Sequence, residues 1–592
     1  MRTSRRYLVP SLAVLGLTAL LILLAGQMVL PAGAVPIVKG YQDFSYAPVP
    51  PAPDPHDPTG EKPESKLWWN DGFWWGSMFN VTAGEYRIYR LNWGTQEWED
   101  TGVALDDRDD SRADTLWDTT DNKLYVASHI YTENSAPADP GNRGRLYRYS
   151  YNTTTDTYSL DGGFHPDGVD VNVDKTEALV LDKDSTGRLW VTYVSRVGIG
   201  IDNPYQVYVN ATTGGALGDD DNWGTPFTLP TEPVEKAHVA QDDIASLISF
   251  GGKIGVMWSN QVDNTLNFAT HLDSNPDPDD PAGWTLHANI LAGHTVDDHI
   301  SLKMHAAGGK VFAAIKTNPP PLSTDPLIGL IVKDADDNFS FKTYSTKAND
   351  DTRPIVLVDE SAALVYMFVT GKPGGSKICY KSSPLSAISF PAGDCGTSFI
   401  EDSVLDKIDN ATSAKQNLNA TTGIVVLASD DVNGQYYVHN VLGDPPPVVT
   451  DRLPANGATN VPVNTTVSAT FSKPMDATTL TPARFTVTGS GGPVDGTRIY
   501  DGVTRTWTFT PSIPLSGNST YTVTVKGQVN DTTGHALYGG DEVWTFTTGA
   551  APTNTPTATS SPTPTSTQTP TATATPPGGG FSIFLPLVEN ED

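Results

Sequence analysis

The chain has 592 residues, with 53 Gly, 46 Pro, 13 Trp and a formal net charge of −30. An even acidic excess of this kind lacks the basic footprint that nucleic-acid phosphates need, so no nucleic-acid partner is expected. The length allows several domains, and a Gly- and Pro-rich chain with few 3.6-period apolar patterns favours short strands joined by turns.

In chain order, Arg2, Arg5 and Arg6 precede an apolar run from Tyr7 to Leu30 and the small-residue site Ala32-Gly33-Ala34. These are the three parts of a secretory signal peptide, with cleavage expected after Ala34. An uncleaved anchor is the competing reading, because the run is long enough for a bilayer core of about 30 Å. Pro10, Gly16, Gly26 and Pro31 suit a cleaved signal better. Ser4-Arg5-Arg6-Tyr7-Leu8 is similar to a twin-arginine signal, and the very apolar core suits the general route, so both routes stay open. The mature chain is expected to lack a membrane span, to be a monomer, and to be secreted or held at a cell surface.

From Ser65 to about Gly443 one pattern recurs. An apolar strand, a tight turn and a second apolar strand are followed by a longer loop and outer strands. The paired strands read as 66–69 with 73–75, 114–117 with 123–126, 178–181 with 188–191 and 244–250 with 253–258. They continue as 300–304 with 310–315, 355–358 with 363–369, and 416–419 with 424–427. Seven copies, roughly 50–65 residues apart, are the pattern of a β-propeller; the rungs of a parallel β-helix are much shorter. The last copy is one strand short, and Ile37–Tyr46 is an orphan strand. The expectation is that this segment completes the last blade and removes an exposed edge. Cys379 and Cys395 are the only cysteines, and a close pair in an exported chain predicts a disulfide rather than a four-ligand zinc site.

The body resembles the sialidase-like propellers of secreted bacterial proteins. Asp279-Asp280-Pro281-Ala282-Gly283-Trp284-Thr285 and Asp219-Asp220-Asp221-Asn222-Trp223 look like incomplete Asp-boxes, and no catalytic residue carries over. Pro454-Ala455-Asn456-Gly457-Ala458, Phe471-Ser472-Lys473-Pro474-Met475-Asp476, Tyr521–Val525 and Trp544–Thr548 resemble the bacterial Ig-like module of the S-layer (SbsA) type. That resemblance implies a spacer or surface-association role. Strand alternation in the same segment predicts a two-sheet sandwich. A Thr/Pro-rich stretch that cannot bury a core follows, then the apolar Phe581–Val588.

The expected architecture is therefore all-β: a seven-bladed β-propeller followed by an Ig-like β-sandwich. The expected domains are signal peptide 1–34, closing strand and linker 35–64, propeller 65–444, Ig-like module 445–549, stalk 550–580 and tail 581–592.

Ligands of propellers bind where the innermost strands start. At those positions the sequence places Asp110, Arg112 and Asp114; Asp174 and Glu177; Asp242 and Asp243; Asp297, Asp298 and His299; Asp350, Asp351 and Arg353; and Lys415. Three readings stand. These acids are turn residues bonding nearby backbone N–H groups; or they hold a hard cation such as Ca²⁺; or they form a glycan site with paired carboxylates as acid and base. In the third reading Asp114, Glu177, Asp243 and Asp298 are the catalytic candidates. Arg112, Asp242, His299, Asp351 and Arg353 are the candidate ligand contacts. Only Arg112 and Arg353 stand at equivalent ring positions, short of the three arginines a sialidase-type site needs. His294, His299 and His305 straddle one strand and are expected to scatter. Trp68, Trp69, Trp74 and Trp75 are read as blade packing before a sugar platform. No cofactor is required on this reading, and Ca²⁺ is the one ion considered. The leading function is a secreted or surface binding or adhesion protein for an extracellular glycan or envelope component. The alternative is a glycan-cleaving hydrolase or lyase.

Overall fold

The computed structural model describes residues 38–47, 58–60, 62–108, 110–198, 203–230, 238–318, 322–371, 377–402, 405, 407–430 and 435–551. The segments expected to be a signal peptide and the start of a linker, and the Thr/Pro-rich stretch and apolar tail from 552 on, lie outside the described residues.

The chain is all-β. Among the described residues, 41–442 form seven antiparallel sheets built on four strands each, and a two-stranded sheet of 136–137 with 174–175. The first comprises Leu67–Asn70, Phe73–Asn80, Glu85–Asn92 and Glu97–Asp106. The second comprises Ser111–Asp118, Lys123–Ile130, Arg145–Asn152 and Thr157–Leu160. The third is led by Val180–Lys183, the fourth by Ala245–Phe250, the fifth by Val296–His305 and the sixth by Thr352–Asp359. Tight turns set each register. Asp71 and Gly72 both hold positive φ between the first two strands, and a Cβ on Gly72 would lie 2.4 Å from Val448. A side chain there would be strained by the backbone and blocked by the neighbour.

Second strands are buried on both faces, as Phe73–Phe79, Leu189–Ser195 and Ile254–Asn260 illustrate. The cause is that neighbouring sheets cover both sides, so apolar runs replace alternation. Each leading strand packs against the leading strand of the next sheet, from the first through the seventh. The circuit returns to its start at the parallel bridge Leu67–Ala414 and at Trp74, whose Nε1 donates to Thr422 O at 2.7 Å. Trp68, Trp74 and Trp75 are buried in this packing, with Tyr158 edge-on to Trp68 and Trp75.

Two expectations need correction here. The leading strand of the seventh sheet is Ile408–Thr412, paired with Ile424–Asp430, and residues 416–419 are not a strand of it. The N-terminal segment is also divided. Tyr41–Ser45 pairs with Tyr436–Leu442 as the fourth strand of the seventh sheet, while Val38–Lys39 pairs with Glu401 and Asp402 of the sixth. Gly40, at φ +90 with His439 O against the place of its missing Cβ, makes the break between them. Phe44 stacks on Tyr89 of the first sheet at 4.7 Å, and Tyr46 donates to Asp430 O at 3.0 Å. The segment thus covers an edge and joins the ends of the circuit.

Cys379 and Cys395 form a disulfide with a Cα–Cα distance of 5.7 Å across 16 residues, and both are buried. Closing a loop of that length restricts the unfolded chain, so a Cys379→Ser/Cys395→Ser variant is expected to lose about 3 kcal/mol. Urea unfolding of the oxidised wild type and the variant checks this.

Residues 449–548 form a two-sheet sandwich. One sheet has the order 449–453, 467–471, 506–511, 496–501; the other has 458–461, 542–548, 520–525, 485–489, 492–493. Its core centres on Phe471, Phe485, Trp507, Tyr521 and Trp544. The sandwich rests against the first two sheets of the body. Tyr538 lies edge-on to Trp69, and Arg452 binds Asp156 at 3.0 Å and Glu542 at 2.6 Å.

Candidate functional site

The leading strands surround a segment of the same chain. Residues 62–66 run between them, so side chains that the sequence places in an open channel meet Lys62, Glu64, Ser65 and Lys66 instead. Glu64 has a fully buried carboxylate 2.5 Å from Lys66 Nζ and 2.7 Å from His129 Nε2. It also accepts the Leu179 N–H at 3.0 Å. Burial alone would raise its pKa, but the Lys66 ammonium and His129 overcome that and hold the carboxyl down at about 2.

Asp114, a catalytic candidate, is fully buried in the same network. Its carboxylate accepts Ser65 N–H at 2.8 Å, Leu181 N–H at 2.8 Å and Lys415 Nζ at 2.5 Å. It thereby ties the central segment, the second sheet, the third sheet and the crossing segment 413–418 together. Lys415 is not at a strand start, contrary to expectation. It lies on that crossing segment, where Asn417 donates to Met304 O at 2.8 Å and Leu418 N–H to Val358 O at 2.8 Å.

At the strand-start end Glu177, Asp242 and Asp298 each bring one carboxylate oxygen within 4.8 Å of the others, and Asp297, Asp298 and His299 converge in the same way. Lys62 Nζ sits among them, 2.9 Å from Glu177 and hydrogen-bonded to Asp298. His299 Nδ1 lies 2.7 Å from Asp298 and 2.9 Å from Asp297, and Lys316 pairs with Asp297 at 2.9 Å. Burial opposes the charge on Asp298, yet His299 and the Lys62 ammonium hold its carboxyl far below the usual range. At this end of the ring the carboxylates of Glu177, Asp242, Asp297 and Asp298 could ligate a hard cation; in this arrangement the Lys62 ammonium supplies the positive charge.

Asp243 is buried and accepts Ala240 N–H at 2.6 Å and Gln261 N–H at 3.0 Å, which is a strand-start turn role. Burial pushes its carboxyl up. Asp174 is likewise buried and pushed up by burial. Asp110 is exposed, with its carbonyl accepting Tyr131 N–H at 3.1 Å. Asp350, ahead of the sixth leading strand, and Arg353, at the register shift within it, both hold positive φ, and Asp351 between them is buried.

The two arginines do not converge. Arg112 donates to Ser111 O at 3.0 Å and lies over the Tyr131 ring, whereas Arg353 reaches Asp409 at 3.3 Å. The histidines scatter: His294 packs on Phe341, and His305 ends the strand Val296–His305 in which His299 lies. The structure therefore brings Glu177, Asp242, Asp297, Asp298 and His299 together, and gives Asp114 and Asp243 backbone partners. Lys62, Glu64 and Lys66 were absent from the sequence reading. Their one signal was a charged run, Glu61-Lys62-Pro63-Glu64-Ser65-Lys66, abutting the first apolar strand.

Chemically, acid–base cleavage of a glycoside needs one carboxyl able to donate a proton and one free to receive charge. Glu177 and Asp298 share an ammonium, and Asp114 is saturated by three donors.

Comparison with curated proteins finds no match. Among solved structures, the N-terminal part of the bacterial S-layer protein SbsC is 25% identical, with a TM-score of 0.15, over 17% of this chain and 23% of that one. CoXyl43, a GH43 β-xylosidase/α-arabinofuranosidase from a compost microbial metagenome, is 14% identical, with a TM-score of 0.27, over 52% and 98%. A mutant Trypanosoma rangeli sialidase displaying trans-sialidase activity is 11% identical, with a TM-score of 0.32, over 75% and 88%. At these TM-scores none of the three carries the fold or the function of the body. The sandwich is a different matter, since residues 443–548 match the family model of the bacterial Ig-like domain. That part of the chain, with its two sheets and its Phe485–Trp507–Trp544 core, is a bacterial Ig-like domain.

Proposed function

We propose that this chain is an exported, surface-held binding protein whose body is a seven-bladed β-propeller and whose ligand is an extracellular polysaccharide or another envelope component. The sheet circuit and its closure through Tyr41–Ser45 support the propeller reading. The Ig-like domain and the n-region with its apolar core support export and surface association. One observation favours binding over cleavage: each catalytic candidate is engaged by the chain itself, Asp114 by Lys415, Glu177 and Asp298 by Lys62, and Asp243 by backbone N–H groups.

The proximity of the Glu177 and Asp298 oxygens, within 4.8 Å, is what favours a glycan-cleaving enzyme as the second reading. The test uses the mature chain on a panel of immobilised polysaccharides, with and without Ca²⁺, and assays new reducing ends and unsaturated ends in the same samples. Retention without new ends is the expected result. Chain cleavage that disappears in a folded Glu177→Gln variant would establish the enzyme instead.

A further inference from the structure

A cavity of about 290 Å³ lies among the later halves of the leading strands of the third, fourth and fifth sheets, bounded by Lys415 and Gln416 of the crossing segment. Its volume sits near the lower end of the ~300–1,000 Å³ typical of ligand pockets. Asp182, Lys415 and Gln416 on its wall are half-buried, so solvent reaches it.

Lys303 projects from the fifth sheet into this wall and is only 5% exposed. Among the described residues its Nζ has no hydrogen bond and no ion pair. Of the nearby charges, Lys415 is paired with a carboxylate, whereas Asp182 meets neutral N–H groups. Lys415 is held by Asp114 at 2.5 Å and by Leu181 O, and Asp182 accepts the N–H groups of Lys183 and Ser249 at 2.8 Å each. Ser246 and Ser249 also line the cavity, and among the described residues their hydroxyls make no hydrogen bond. A buried ammonium without a partner is unfavourable, and a group that supplies the missing negative charge is bound by that imbalance.

We propose that this cavity binds a small hydroxylated carboxylate, a sugar acid, with Lys303 as its ionic anchor and Ser246 and Ser249 as partners for its hydroxyls. Lys303 is the ammonium on this wall without a direct partner, and burial pushes the Asp182 carboxyl up, toward its neutral form, which lessens the repulsion of one incoming carboxylate. Asp114 and Asp182 stand close enough to repel a second negative charge, which disfavours sulfate and other dianions. Burial lowers the Lys303 pKa to about 7, with Lys415 adding to the effect and Asp114 and Asp182 opposing it. Above neutral pH the empty site therefore holds mostly amine, and a bound carboxylate restores the ammonium by proton uptake. The inference does not rest on polysaccharide binding. A chain that binds a neutral polysaccharide but no sugar acid removes this inference alone.

Calorimetric titration of the mature chain at pH 8 with D-glucuronate tests it, with D-glucose as the neutral twin and sulfate as the dianion. Glucuronate is expected to bind at least tenfold more tightly than either. Its heat is expected to vary with the ionisation enthalpy of the buffer, reporting proton uptake. Lys303→Met should weaken glucuronate binding at least tenfold and remove the buffer dependence, and Ser246→Ala should weaken it severalfold. No binding of glucuronate at millimolar concentrations, equal binding of glucose, or wild-type heat independent of buffer would overturn the inference. So would unchanged affinity in a Lys303→Met variant with an intact melting transition.

Discussion

Asp114→Ala is expected to lower folding stability by about 3–5 kcal/mol. The substitution strands three donors at once. Ser65 N–H and Leu181 N–H lose their acceptor in a fully buried site, and an unsatisfied buried donor costs about 1–3 kcal/mol. Lys415 loses its carboxylate, and breaking one side of a buried pair typically costs about 3–5 kcal/mol. These penalties overlap because the freed groups relax together, so they do not add in full. Asp114→Asn keeps one carbonyl acceptor and should fall between wild type and Asp114→Ala. Urea unfolding followed by the fluorescence of Trp68, Trp74 and Trp75 reads all three. A catalytic acid without a structural role would give a folded, inactive Asp114→Ala protein of wild-type stability.

Glu64→Gln is the second. Its amide cannot neutralise the Lys66 ammonium, 2.5 Å from the present carboxylate, so a loss of about 3–5 kcal/mol is expected at pH 7. The pH dependence makes the test sharper. The folded-state pKa of Glu64 is held at about 2, below the ordinary 4.5. A depressed carboxyl contributes stability that is fully present above the unfolded-state pKa and is lost as pH falls through the folded one. The window is therefore pH 4.5 down to about 2, and the size of the shift corresponds to roughly 3 kcal/mol. The advantage of wild type over Glu64→Gln should shrink by that amount across the window. A gap that stays constant from pH 7 to pH 2 would show that Glu64 is not ionised in the core.

Much of the architecture was legible because turns and apolar runs are local signals. Asn70-Asp71-Gly72 and Gly251-Gly252 are turns whose positive φ the chain itself encodes, and the apolar second strands stand out on either side. The seventh leading strand was misplaced because Ile408-Asp409-Asn410-Ala411-Thr412 carries three polar side chains, all of them buried. It therefore shows neither an apolar run nor a clean alternation. Residues 416–419 imitate a strand because they cross the ring beside the first and sixth sheets, through the Trp69–Gln416 hydrogen bonds and the Asp359–Leu418 bridge.

The site was harder to read. Recurrence at strand starts drew attention to Glu177, Asp242, Asp298 and His299; Glu177, Asp242 and Asp298 lie together, and His299 joins Asp297 and Asp298. What recurrence could not supply was the counter-charge, because Lys62 lies more than a hundred residues away in sequence. Lys66 and Lys303 carry the same limitation. A lysine beside apolar residues, as in Leu302-Lys303-Met304, reads as a solvent-facing position. Here that face of the strand looks into the ring, and only the closure of seven sheets makes it an interior.

The central claim is that residues 62–66 are part of the folded core and hold its charges, rather than a linker outside an open channel. Hydrogen exchange of the Ser65, Leu179 and Leu181 amides tests it most directly, since these donate to Asp114 and Glu64. All three are expected to exchange only through global unfolding, alongside the amides of Leu189–Ser195 in the third sheet. Exchange of Ser65 within minutes at neutral pH, while that strand remains protected, would contradict it.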